Sequence, residues 1–145
     1  MGGRGASSGI STQKIKYGKE YHTIREKDAN GKMHFLKIGN IKFILQNKDG
    51  SAKTPMETMT KGRVYVLVVN KKTGAKLKSI TYYDNSLKRS KQIDLDHPHQ
   101  GENPHTHLGY IHDEYGTRHL TMKEKRLVAF VYKIWNNWIA EHGVG

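Results

Sequence analysis

From Lys91 to Glu114 the chain reads KQIDLDHPHQGENPHTHLGYIHDE, a stretch that holds five of the nine histidines. These are His97, His99, His105, His107 and His112, with Asp94, Asp96, Asp113 and Glu114 beside them. Imidazole titrates near neutral pH, so two of them can divide the proton transfers of one reaction, one as base and one as acid. Attack of a ribose 2′-hydroxyl on the neighbouring phosphate needs such a pair, and a cation for the charge that builds on the phosphate oxygens. His97 or His99 facing His105 or His107 supplies the pair, and Lys91 and Arg89, on the approach to the histidines, supply the cation. Thr106 or Tyr110 can hydrogen-bond the phosphate. No cofactor is needed for this chemistry. The same residues also suit a metal: the HPH and HTH triplets offer His97, His99, His105 and His107 as ligands to Zn²⁺ or another divalent cation. Asp94 or Asp96 would ligate it or orient the imidazoles. Metal-bound hydroxide would then reach DNA as well as RNA. A solvated rim of turn residues without chemistry is the third reading. His22, His34, His119 and His142 stand alone and receive no role.

The pattern around these residues has period two, as strands require. Ile93, Leu95, His97 and His99 share one parity, and His105, His107, Gly109 and Ile111 share another. Between them PHQGENP carries Gly101 and Asn103-Pro104, which are turn formers. A hairpin is expected, with four imidazoles near one end. Three strands should lead into or form it: Arg63–Asn70 (RVYVLVVN), apolar enough to be buried on both faces, then Leu77–Asp84, then Lys88–Asp96. Short connections through Lys71-Lys72-Thr73-Gly74 and Asp84-Asn85-Ser86 make an antiparallel meander. Upstream, Met33–Leu45 reads as strand, turn at Gly39-Asn40, strand, after a turn signal at Asp28-Ala29-Asn30-Gly31. Thr54-Pro55-Met56-Glu57 has the form of a short helix start. Downstream, Thr121 with Glu124 is a capping box. Leu127, Val128, Val131, Ile134, Trp135, Trp138 and Ile139 then recur at helical spacing before Gly143. The expected fold is α+β, an antiparallel meander of four to six strands with this long C-terminal helix packed on one face and both tryptophans in the core.

Residues 1–12 are Gly/Ser-rich and read as a flexible linker or tail, as though cut from something longer, and 13–145 as a single globular domain. The chain has 145 residues and no cysteine, which excludes disulfides and thiolate metal sites. No stretch has the roughly 20 apolar residues of a membrane span, and the first residues lack the apolar core of a signal peptide. Net charge is +12. It is uneven: residues 1–91 carry 20 Lys and Arg against six Asp and Glu, whereas residues 92–145 carry five against seven. A basic body beside a histidine-rich end points to a polyanionic partner, nucleic acid above all, with RNA favoured.

The segments GGRGASSG, KTPMETMTKGRVYV, SITYYDNSLKRSKQIDLDHPH and PHTHLGYIHDE resemble the C-terminal domain of phage minor head (head morphogenesis) proteins of Gram-positive bacteria. Domains in that position are similar to the barnase–EndoU–colicin–RelE class of toxin ribonucleases. The resemblance implies a small antiparallel sheet with flanking helices and metal-independent cleavage of RNA. It implies His105 and His107 with His97 as acid and base, and Lys91 or Arg89 as the phosphate cation. It further implies an immunity protein or phage head proteins as partners, and a place in the virion or the host cytoplasm. One departure is plain: members of the class lead with helices, whereas here the strong helix comes last. A head-associated module that binds nucleic acid or a capsid partner without catalysis is the alternative from another class.

Overall fold

The run RVYVLVVN extends as a strand because β-branched and aromatic residues favour the pleated backbone, and its alternation supplies two cores at once. Val66 and Val68 point into one buried cluster, Tyr65 and Leu67 into another. The structure, a computed structural model, describes residues 20–47, 54–71, 74–95, 105–109 and 116–142. The linker expected at 1–12 lies outside the described residues, as do His97, His99, Tyr110 and His112.

Among the described residues the elements run in order as β1 Tyr21–Thr23, β2 Arg25–Lys27, β3 Met33–Phe35, β4 Lys37–Ile38 and β5 Ile41–Gln46. Then follow β6 Val64–Lys71, β7 Gly74–Tyr83, β8 Arg89–Asp94, β9 His105–Leu108, β10 Thr117–Arg118 and the helix α1 Met122–His142. The fold is α+β, as expected, and β6, β7, β8 and β9 form the antiparallel meander. The sheet reaches further than four to six strands. Its order is β1-β5-β6-β7-β8-β9-β10, with β4 also paired to β5, while β2 and β3 make a separate hairpin. One pairing, β5 with β6, is parallel. Parallel neighbours need a crossover of a dozen or more residues, and residues 47–63 provide it.

That crossover replaces the short helix expected at Thr54-Pro55-Met56-Glu57. Its polar groups are used by the sheet instead. Arg89 N donates to Met56 O at 2.8 Å, Thr58 N donates to Leu87 O at 2.9 Å, and Glu57 bridges Lys88. The Tyr83 hydroxyl donates to Pro55 O, and Thr54 Oγ1 meets Thr81 Oγ1 at 2.9 Å rather than capping a helix. A helix of one or two turns is too short to outcompete these contacts. The crossover thereby covers Tyr21, Ile44, Tyr65, Leu67 and Tyr83, the smaller core. Burial pushes the Tyr21 phenol up to about 12 and raises those of Tyr65 and Tyr83.

The opposite face lies under α1. The capping box forms as the sequence implies, with Thr121 N donating to Glu124 Oε1 at 2.9 Å and Glu124 N to Thr121 Oγ1 at 3.2 Å. Val131, Ile134 and Trp135 are buried against Phe43, Val66, Val68, Ile80 and Ile93. Trp135 stacks on Phe43 with ring centroids 6.3 Å apart. Trp138 is only half-buried. No helix among the described residues is long and apolar enough to cross a membrane.

Candidate functional site

The register between β8 and β9 decides which candidate side chains meet. Gln92 pairs with His107, Ile93 with Thr106, Asp94 with His105, and Lys91 with Leu108. Directly opposed residues share a face of the sheet. Ile93 belongs to the core under α1, so Lys91 and Thr106 face the helix, whereas Gln92, Asp94, His105 and His107 face away from it. The sequence-derived residues therefore divide into two clusters on opposite faces.

On the helix face the centre is Glu124, 1% exposed. Arg118 donates to both of its carboxylate oxygens at 2.8 Å, in a bidentate fork. Lys91 Nζ donates to Oε2 at 2.7 Å and Thr106 Oγ1 to Oε1 at 2.9 Å. Burial pushes the Glu124 carboxyl up, but the hydrogen bonds from Arg118, Lys91, the Thr121 backbone and Thr106 outweigh it and hold the group well below the usual carboxylate range. Arg118 is shifted up in return. Lys91 Nζ also lies 4.4 Å from the centroid of the Tyr82 ring, a cation–π geometry. Lys91 and Thr106, expected to meet a phosphate, are thus bound to a carboxylate on the face that His105 and His107 do not share.

On the other face Asp94 joins the polar residues. Its Oδ2 lies 2.8 Å from His107 Nε2, and Gln92 Nε2 donates to its Oδ1 at 3.0 Å. The network continues among buried side chains: Thr81 Oγ1 donates to Gln92 Oε1 at 3.2 Å, and Thr54 reaches both. A carboxylate only accepts, so His107 Nε2 carries the hydrogen, and the lone pair of the neutral ring is on Nδ1. His105 lies 5.7 Å from His119, centroid to centroid. His105 and His107 are 7% and 5% exposed, respectively. His119 is exposed and marks where the cluster meets solvent. Ser79, paired with Asp94 in register, has a buried Oγ with no hydrogen-bond partner.

Arg89 lies on the same face of the sheet as the histidines, not on that of Lys91. A bulge between Tyr82 and Tyr83 pairs Lys91 with Tyr82 but Arg89 with Tyr83, so two residues of equal parity point to opposite faces. Tyr83 lies in the smaller core, and the Arg89 guanidinium opposes the upward shift of both Tyr83 and Tyr21.

Of the expected catalytic set, the structure brings His105 and His107 together, places Lys91 across the sheet, and does not describe His97. Of the substrate-binding set, Arg89 shares the histidine face, Thr106 does not, and His99 and Tyr110 lie outside the described residues. Among the described residues no three His, Asp or Glu side chains converge on a point where a metal could sit. Sequence reading missed three contributors. His119 looks isolated because its neighbour is supplied by β9. Glu124 shows only its capping signal. Gln92 carries no signal beyond its place on β8. Comparisons with known protein families, with curated proteins and with solved structures found no match to this chain.

Proposed function

We propose that this chain is a toxin-like nuclease domain of phage or prophage origin that cleaves RNA without a metal, by histidine acid–base chemistry on the outer face of β8, β9 and β10. The supporting observation is the pairing of His107 with Asp94 on the face that also carries His105, with His119 beside His105. In this reading His107, its ring held through Nε2, takes the proton from the 2′-hydroxyl at Nδ1. His105, with His119 at the solvent side, returns a proton to the departing 5′-oxygen. Arg89 on the same face supplies the positive charge for the phosphate, and His97 contributes from the adjoining segment. Lys91 and Thr106 act at a distance, through Glu124, by holding β8 and β9 to the helix. RNA is the substrate, and an immunity protein or phage head proteins are the protein partners.

One observation favours the rival reading, a non-catalytic module that binds nucleic acid or a capsid partner. His105 and His107 are nearly buried, and a buried imidazole bonded to a carboxylate also serves simply to satisfy the sheet. The two readings separate in one assay. Labelled single-stranded RNA and DNA are incubated with the protein, with and without EDTA, beside His105→Ala, His107→Ala and the double variant. Cleavage of RNA alone, indifferent to EDTA and about 10²-fold slower or more in either single variant, is the expected result. Cleavage lost with EDTA would transfer the histidines to a divalent metal such as Zn²⁺. Full activity in the double variant, or no cleavage by the parent protein, would leave the binding module.

A further inference from the structure

A second site lies far from the histidine face, between the C-terminal half of α1 and the strands β1 and β2. It is a pocket of about 170 Å³. Pockets for drug-sized molecules run to roughly 300–1,000 Å³, so this one accommodates a single flat ring system. Its sides are aromatic. The indoles of Trp135 and Trp138 line it with the imidazoles of His22 and His142, and the Trp138 and His142 rings are 4.2 Å apart. Its floor is apolar sheet, including Val68. Arg25, Glu26 and Asn70, whose side chains can donate or accept hydrogen bonds, also line it. Among the described residues none of these three side chains makes a hydrogen bond or ion pair. His22 meets the Asn47 side-chain oxygen through Nδ1. An oxygen acceptor places the hydrogen there and leaves Nε2 to accept.

Flat aromatic walls with unused donors and acceptors around a small opening are complementary to one class of ligand: a heterocycle that stacks by its faces and hydrogen-bonds by its edge. We infer that this pocket binds a single unpaired nucleobase. The charge of the chain, +12, favours the phosphate such a base carries. The exposed side of α1 presents Lys133 near the pocket and Lys123, Lys125 and Arg126 in the first turns of the helix, along which an attached strand can lie. The site rests on nucleic acid being the partner, as in the function proposed above, but not on cleavage.

Trp135 and Trp138 are the only tryptophans in the chain, so intrinsic fluorescence reads this pocket directly. The full chain is titrated with adenosine 5′-monophosphate, ribose 5-phosphate and a ten-residue single-stranded oligodeoxynucleotide, which lacks the 2′-hydroxyl needed for RNA-type cleavage. Saturable quenching by the nucleotide or the oligonucleotide, and none by ribose 5-phosphate, is expected. Quenching by the oligonucleotide alone assigns the base to a strand, and quenching by both admits free nucleotide. Loss of one stacking partner in Trp138→Ala should weaken binding about tenfold, and Trp138→Phe should restore most of it. Asn70→Ala, an exposed change that leaves the core intact, should weaken binding at least about threefold. Quenching that does not saturate, equal response to ribose 5-phosphate, or unchanged affinity in both Trp138→Ala and Asn70→Ala would overturn the inference. None of these readouts depends on whether His105 and His107 cut RNA.

Discussion

Glu124 receives five hydrogen bonds on one buried carboxylate, from Arg118 twice, Lys91, Thr106 and the Thr121 backbone. Through them it ties β8, β9 and β10 to the first turn of α1. Removing one partner of a buried charge network leaves the others uncompensated, a loss of about 3–5 kcal/mol in well-buried cases. Arg118 and Lys91 are each about a third exposed, so solvent screens them, and Glu124→Gln should lose about 3 kcal/mol at pH 7, at the low end of that range. The pH dependence follows from the depressed carboxyl. Its contribution is fully present above the unfolded carboxyl value, near 4.3, and is lost as pH falls through and below that value because the unfolded chain takes up the proton first. Urea unfolding of both proteins from pH 7 to pH 3 measures this. The parent should lose stability over the acid part of the range and Glu124→Gln should show a flatter profile. Equal slopes would place the acid sensitivity in another carboxylate.

At the scale of elements, α1 is the sheet's cover, packed on it through Val131, Ile134 and Trp135. Trp135 is buried, stacks on Phe43 and lies among Val66, Val68 and Ile80. Trp135→Ala should therefore destabilise the domain by roughly 3–5 kcal/mol, read as a lower urea midpoint with an unchanged slope. A midpoint that does not move would mean that the helix contributes little to the cooperative core. The helix was legible in the sequence because its stripe and cap are local signals; the stop expected at Gly143 lies outside the described residues. The meander was legible too, since short turns leave antiparallel neighbours few alternatives. The parallel pairing of β5 and β6 was not. It depends on where residues 47–63 travel, and the Thr-Pro-Met-Glu signal inside them yields to hydrogen bonds from β8 that are distant in sequence.

At the scale of the whole molecule, charge and shape act together. The basic excess lies in residues 1–91, and the exposed side of α1 adds four cations. If single-stranded nucleic acid binds there with roughly three to five phosphates neutralised, affinity should fall by about 20- to 130-fold between 50 and 200 mM salt. Fluorescence anisotropy of a labelled oligonucleotide over that range checks the slope. An affinity indifferent to salt would remove the basic surface from the account.

By itself the sequence determined the strands from β5 to β9 and the C-terminal helix, the cap at Thr121 and Glu124, and the concentration of imidazoles around β9. These depend on residue type and on spacing within a few positions. Tertiary structure alone decided the faces. Period-two alternation groups Lys91 with Ile93 and His105 with His107, but it does not say whether odd residues of β8 oppose odd or even residues of β9. A slip of one residue would exchange every side chain between faces. The observed register sets His107 beside Asp94 and sends Thr106 and Lys91 to Glu124, while one bulge returns Arg89 to the histidine side. Those outcomes are fixed by hydrogen bonds between segments far apart in the chain, which no local pattern encodes.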